Sequence, residues 1–101
     1  MKNQILAAAK SPYGGAAIIS ELVYRDPEGM KKALKEVGEE FVVLMSKSPR
    51  DLADLFEWVE NDIRYILYNC ITLEALLNLS SSPGDYRRML AALEEGKDLF
   101  R

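Results

Sequence analysis

Apolar residues recur every three or four positions through most of this chain, the spacing that gathers them on one side of an α-helix. The pattern is clearest from Pro27 to Met45, where Met30, Leu34, Val37, Phe41, Leu44 and Met45 form one stripe. Lys32, Lys35, Glu36, Glu39 and Glu40 face away from it. A second stripe runs from Pro49 to about Leu79 through Leu52, Leu55, Phe56, Val59, Ile63, Ile66, Leu67 and Cys70. After Pro49 that stretch contains no proline or glycine and predicts, if unbroken, a rod of about 45 Å. Past Cys70 it becomes apolar on most sides, with Ile71, Leu73, Leu76 and Leu77, so neighbours are expected to cover it from several directions. The run Cys70-Ile71-Thr72 is the expected place for a kink or break.

Proline marks where the helices begin. All four prolines follow a capping residue, in Ser11-Pro12, Asp26-Pro27, Ser48-Pro49 and Ser82-Pro83. Proline presets φ at the first helical position and lacks an N–H that would have no partner there, while Ser or Asp accepts from an orphan N–H of the first turn. Asp51 and Asp85 stand three residues after Ser48 and Ser82, resembling a capping box with Asp in place of Glu. The remaining predicted helices are about Lys2 to Ala9, Pro12 to Tyr24, and Pro83 to about Glu95 with Gly96 as its stop. The second starts awkwardly, because Gly14 and Gly15 each weaken its first turn by about 1 kcal/mol, and regularity is expected only from Ala16. Lys97 to Arg101 is expected to fray. The sum is an all-α compact bundle of about five helices around one long central helix, with short connections favouring antiparallel neighbours.

With 101 residues, 49% hydrophobic and 29% charged, the chain is expected to form a single domain over residues 1–101. Its net charge of −3 comes without a basic stripe. Arg87-Arg88 is the only adjacent arginine pair, and Glu94 and Glu95 follow it, so direct nucleic-acid binding is not expected. No segment approaches the roughly twenty apolar residues of a membrane span, and Met1 to Lys10 reads as a helix rather than a secretory signal. The lone Cys70 excludes an intrachain disulfide and suits a reducing compartment, so the expected location is cytoplasmic.

Histidine is absent, which removes the commonest general base and the commonest zinc ligand together. Cys70 lies on an apolar stripe, where a thiol ordinarily packs rather than reacts. Any catalysis would therefore rest on carboxylates with a divalent cation. Glu36 and Glu39 on the third helix, followed by Glu57 and Glu60 on the fourth, resemble the paired acidic motifs of all-α nucleoside triphosphate pyrophosphohydrolases. That superfamily includes the MazG-like and phosphoribosyl-ATP enzymes. The resemblance implies that these four glutamates bind magnesium bridging a polyphosphate, across two adjacent antiparallel helices. The second motif ends in Glu60 where the family has Asp, and Val43 stands where phosphoribosyl-ATP enzymes carry a further acid. Read from the residues alone, the same glutamates belong to a solvated face, with Lys32–Glu36 and Lys35–Glu39 as i,i+4 pairs.

The aromatics point elsewhere. Trp58, Tyr65 and Tyr68 lie off the core stripe, and Trp58 and Tyr65 are two turns apart on one face of the long helix. Asp51, Asp54 and Asp62 share that face. Another helix of the chain packed there would make these rings ordinary core. Left exposed, they would be interface anchors. The leading expectation is a small protein–protein interaction module, an adaptor or an inhibitor. It would bind a basic partner surface, or a second copy, through this aromatic–acidic face, without a cofactor. The magnesium-dependent pyrophosphohydrolase is the alternative. A structural subunit of a helical oligomer, resting on the apolar stretch Ile71 to Leu77, is the third reading.

Overall fold

Each proline opens a helix. The computed structural model describes residues 1–98 and contains α1 (Lys2–Ala7), α2 (Pro12–Arg25), α3 (Pro27–Met45), α4 (Pro49–Trp58), α5 (Asn61–Cys70), α6 (Leu73–Leu79) and α7 (Pro83–Asp98), with no strand among the described residues. Ser11 Oγ accepts from Gly14 N at 3.1 Å, Asp26 Oδ1 from Gly29 N at 3.1 Å, Ser48 Oγ from Asp51 N at 3.2 Å, and Ser82 Oγ from Asp85 N at 3.1 Å. Asp26 also ends α2, its N–H bonding Leu22 O, so one residue closes one helix and opens the next. The carboxylates of Asp51 and Asp85 reach back to the N–H groups of Lys47 and Ser81, one residue before the cap rather than to the cap itself.

The seven helices replace the expected five because the stretch from Pro49 to Leu79 is not a rod. It breaks twice. The second break, at Ile71-Thr72, falls where the β-branched run points, and Thr72 Oγ1 caps α6 by accepting from Ala75 N at 3.1 Å. The first break, at Val59-Glu60, has no proline or glycine to cause it. Both residues are extended, with ψ of 158° and 164°. Packing explains it: α4 lies chiefly against α2 and α7, whereas α5 lies chiefly against α3 and only secondarily against α7. One straight helix cannot reach both sets of neighbours, and a rod of about 45 Å would outrun the longest dimension of the molecule, 40 Å. Arg64 holds the corner. Its Nε donates to Phe56 O, its Nη2 donates to Glu57 O at 3.1 Å, and its Nη1 donates to Asn61 Oδ1 at 3.1 Å. Two carbonyls left over at the end of α4 thus gain a cationic donor.

Other differences are local. Helix α1 ends at Ala7, two residues early, while α7 continues through Gly96 to Asp98, so Lys97 and Asp98 belong to the helix. Leu99, Phe100 and Arg101, the rest of the expected tail, lie outside the described residues. Helix α2 is regular from Pro12 despite its glycines. Gly15 is where α3 comes close, since a Cβ there would collide with the Met45 thioether and approach Phe41 Cζ at 3.1 Å.

The core is built on Phe41, Phe56, Met30, Leu34, Leu52, Leu55, Ile63, Leu67 and Leu76, all fully buried. Val42 is buried and Leu44 is exposed, because the stripe of α3 drifts away from the expected register near its end. Leu73 and Leu77 are 61% and 58% exposed rather than covered. Helix α6 is short and buries Ala75 and Leu76, with Leu79 half-buried against the core. Helices α3 and α5 run parallel instead of antiparallel: Lys31 meets Asp62 near their starts, and Gly38 meets Cys70 further along both.

Ser46, the residue that ends α3, is fully buried, and its Oγ has no hydrogen-bond partner among the described residues. An unsatisfied buried hydroxyl is a net cost, so Ser46→Ala should stabilise the protein by about 1 kcal/mol. Urea denaturation reads this as a higher midpoint with an unchanged slope; a lower midpoint would mean that the hydroxyl is satisfied in solution.

Candidate functional site

Glycine at position 38 lets α5 nest against α3. A Cβ there would sit 2.7 Å from Cys70 Sγ and 3.1 Å from Cys70 Cβ. Eight residues earlier on α5, the two helices are joined only through long side chains, by the Lys31 Nζ–Asp62 Oδ2 pair at 2.8 Å. Between these two points lies a groove of about 560 Å³, with mostly apolar walls. Ile66 and Cys70 line it, and Tyr65, 60% exposed, forms one side. Asn69 Nδ2 donates to Tyr65 O at 2.8 Å, tying the rim to the helix behind it. Lys31 and Lys35, one turn apart on α3, bring two ammonium groups to the other side.

The electrostatics follow from these neighbours. The hydrogen bond from Lys31 holds the Asp62 carboxyl below the usual range, and the same bond to Asp62 raises Lys31. Lys35 has no carboxylate within ion-pair distance among the described residues. The lining therefore carries two positive charges against one negative. Burial first, and the Glu39 carboxylate second, push the Cys70 thiol up. It stays neutral at pH 7, with its sulfur 3.9 Å from Leu34 O and 4.0 Å from Lys35 O.

This gives a chemical test. Alkylation of Cys70 by iodoacetamide should be slower at pH 7.5 than that of a free thiol, and should still be climbing with pH where a free thiol has levelled off, because the thiolate is the nucleophile and burial disfavours it. Glu39→Gln removes a negative charge that opposes ionisation, so it should lower the thiol pKa and speed the reaction at a given pH. A fast reaction at neutral pH, unmoved by Glu39→Gln, would contradict this description of the thiol.

The six residues expected on one aromatic–acidic helix face do not share a surface. The break after Trp58 leaves that ring on α4, facing α2, where it meets Tyr13 edge-to-face with ring centroids 5.6 Å apart. Tyr65 and Asp62 lie on α5 in the groove, and Tyr68 is half-buried against the core. Asp51 is occupied in the cap of α4, and Asp54 lies 3.8 Å from Arg50 on the same helix. From the sequence Lys35 is expected only as the partner of Glu39 on a solvated face, a pair not found among the described residues, and no role at this site is expected of Lys31 or Tyr13. The i,i+4 spacing of the two lysines on the polar side of α3 was a visible signal, but nothing local marks that side as the one facing α5.

The four glutamates of the pyrophosphohydrolase pattern are not brought together either. Glu36 pairs with Lys2 of α1 at 2.5 Å, and that bond, more than Lys32, lowers its pKa. Glu39 lines a separate groove with Thr72 and Glu74. Glu57 lies in the last turn of α4, while Glu60 lies in the break, so the second motif is not on one helix. No group of three or more His, Cys, Asp or Glu side chains among the described residues is placed to hold a metal ion. Among the described residues, no helix is long and apolar enough to cross a membrane. Comparison with protein-family models, curated proteins and solved structures yields no match.

Proposed function

We propose that the protein is a small helical binding module that takes a short segment of a partner protein into the α3–α5 groove. One observation carries this reading: an apolar groove of about 560 Å³ is flanked by the exposed Tyr65 and by the ammonium of Lys35, which has no carboxylate within ion-pair distance among the described residues. An apolar or aromatic side chain of the partner fills the floor over Ile66, where its burial supplies the binding energy. A neighbouring carboxylate of the partner meets Lys35, which fixes the orientation and selects against basic segments. The charge preference is thus the reverse of the one expected from Asp51, Asp54 and Asp62, since the first two serve α4 itself and the third is matched by Lys31.

The test places a photo-crosslinking amino acid at Tyr65 in the full chain, with the exposed Glu95 of α7, which does not line the groove, as the control position. A discrete adduct at position 65, absent at position 95 and lost with Lys35→Glu, supports the reading. Identical adducts from both positions, or adducts indifferent to Lys35→Glu, would overturn it.

A further inference from the structure

Helix α2 presents a long stripe without a charged residue. Tyr13, Ala17, Ser20 and Tyr24 are spaced four, three and four apart, which keeps them within about 60° of one another around the axis. All are exposed, Tyr13 by 71% and Tyr24 by 89%. Trp58, 45% exposed, stands beside Tyr13 from α4. With Ala16, Ala17 and Ser20, these two rings outline a groove of about 300 Å³. The same stripe therefore carries a receptor at one end and, about 10 Å further along at seven residues' rise, a large ring in need of one.

We propose that two copies of the protein associate through this face, with the Tyr24 ring of each seated over Ala17 of the other, in the groove beside the touching Tyr13 and Trp58 rings. A two-fold axis beside Ser20 sets the two α2 helices antiparallel and brings each Tyr24 opposite Ala17 of the second copy. Such an isologous contact needs one surface that complements itself, and a protruding ring and its groove on a single stripe meet that requirement. Ala17 and Ser20 at the crossing let the axes approach to the usual 8–10 Å or so. The two Ser20 hydroxyls meet at the axis as donor and acceptor.

Charge favours a second copy over a charged partner. The charged residues of α2, Glu21 and Arg25, neutralise each other at 2.7 Å, so the helix brings no net charge to the contact. The three rings expose much of the roughly 150–250 Å² that each aromatic can bury. With the small residues between them, the contact removes about 1,000–1,200 Å² in total, the lower edge of specific interfaces. The dimer is accordingly weak and reversible. The exposed Leu73 and Leu77 on α6 form the competing apolar patch. The α3–α5 groove shares no residue with the α2 face, so it stays open in each copy.

Sedimentation equilibrium of the full chain from about 1 to about 500 µM decides the matter. The expected dissociation constant is about 10–100 µM, and Tyr24→Ala should raise it at least about tenfold. Thermal unfolding should show that variant folded, because the ring is almost wholly exposed in the monomer. Trp58 is the only tryptophan, so its emission should move to shorter wavelength as concentration rises, and stay fixed in Tyr24→Ala. Leu77→Ala should leave both readouts unchanged. A monomer at every concentration, a dimer indifferent to Tyr24→Ala, or a dimer lost with Leu77→Ala would each overturn the proposal.

Discussion

Arg64→Ala should lower the unfolding free energy by about 2–4 kcal/mol, a large share of the roughly 5–15 kcal/mol that stabilises a domain of this size. Hydrogen bonds to a charged partner contribute about 1.5–3 kcal/mol each, and Arg64 makes two of them to backbone carbonyls where α4 stops. Partial exposure of the site keeps the total below the simple sum. Truncation leaves Phe56 O and Glu57 O without that donor at a corner that nothing else in the local sequence enforces. Arg64→Lys should recover less than half of the loss, since one ammonium cannot reproduce the planar fork that spans both oxygens and Asn61. Urea unfolding measures both variants. If Arg64→Ala stays within about 0.5 kcal/mol of the parent, the corner is held by burial of Val59 and its neighbours instead.

Gly38→Val should be nearly as damaging, at about 2–3 kcal/mol. The added atoms enter space already filled by Cys70, whose Cβ is anchored to α5 and cannot swing aside. Gly38→Ala gains about 1 kcal/mol in helix propensity, which offsets part of the same clash, so its net cost is smaller. The clash itself is isolated by repeating Gly38→Ala in a Cys70→Ala background. There the sulfur is gone, and the two substitutions should couple by at least about 0.5 kcal/mol in the direction of rescue. Additive behaviour would show that α3 and α5 do not touch at this point. Forcing the helices apart should also speed alkylation of Cys70 in Gly38→Val, since the approach at Gly38 is what buries the thiol.

The candidate site was only partly legible in the sequence. Tyr65 and Asp62 could be singled out because their residue types and spacing mark them on one helix. Their counterparts Lys31 and Lys35 could not, because ammonium groups on a polar helix face look alike until a second helix is laid beside them. Trp58 was correctly placed off the core stripe but assigned to the same surface as Tyr65. The two residues at Val59-Glu60 undo that assignment, turning one ring toward α2 and the other toward α3. The glutamate pairs fail for the same reason, since Glu57 and Glu60 share a helix face only if the helix continues through them.

The helical class, the four proline-marked starts and most of the buried stripe are written locally into the chain. Caps, preset φ angles and periodicity act within one or two turns, so a local reading reaches them. The break that separates α4 from α5, the parallel course of α3 and α5, and both grooves were decided by tertiary structure alone. Apolar stripes on α4 and α5 had to be buried against different neighbours, and burying both outweighed the hydrogen bonds lost at the corner, which Arg64 partly restores from seven and eight residues away. A residue acting at that distance leaves no mark in the local pattern.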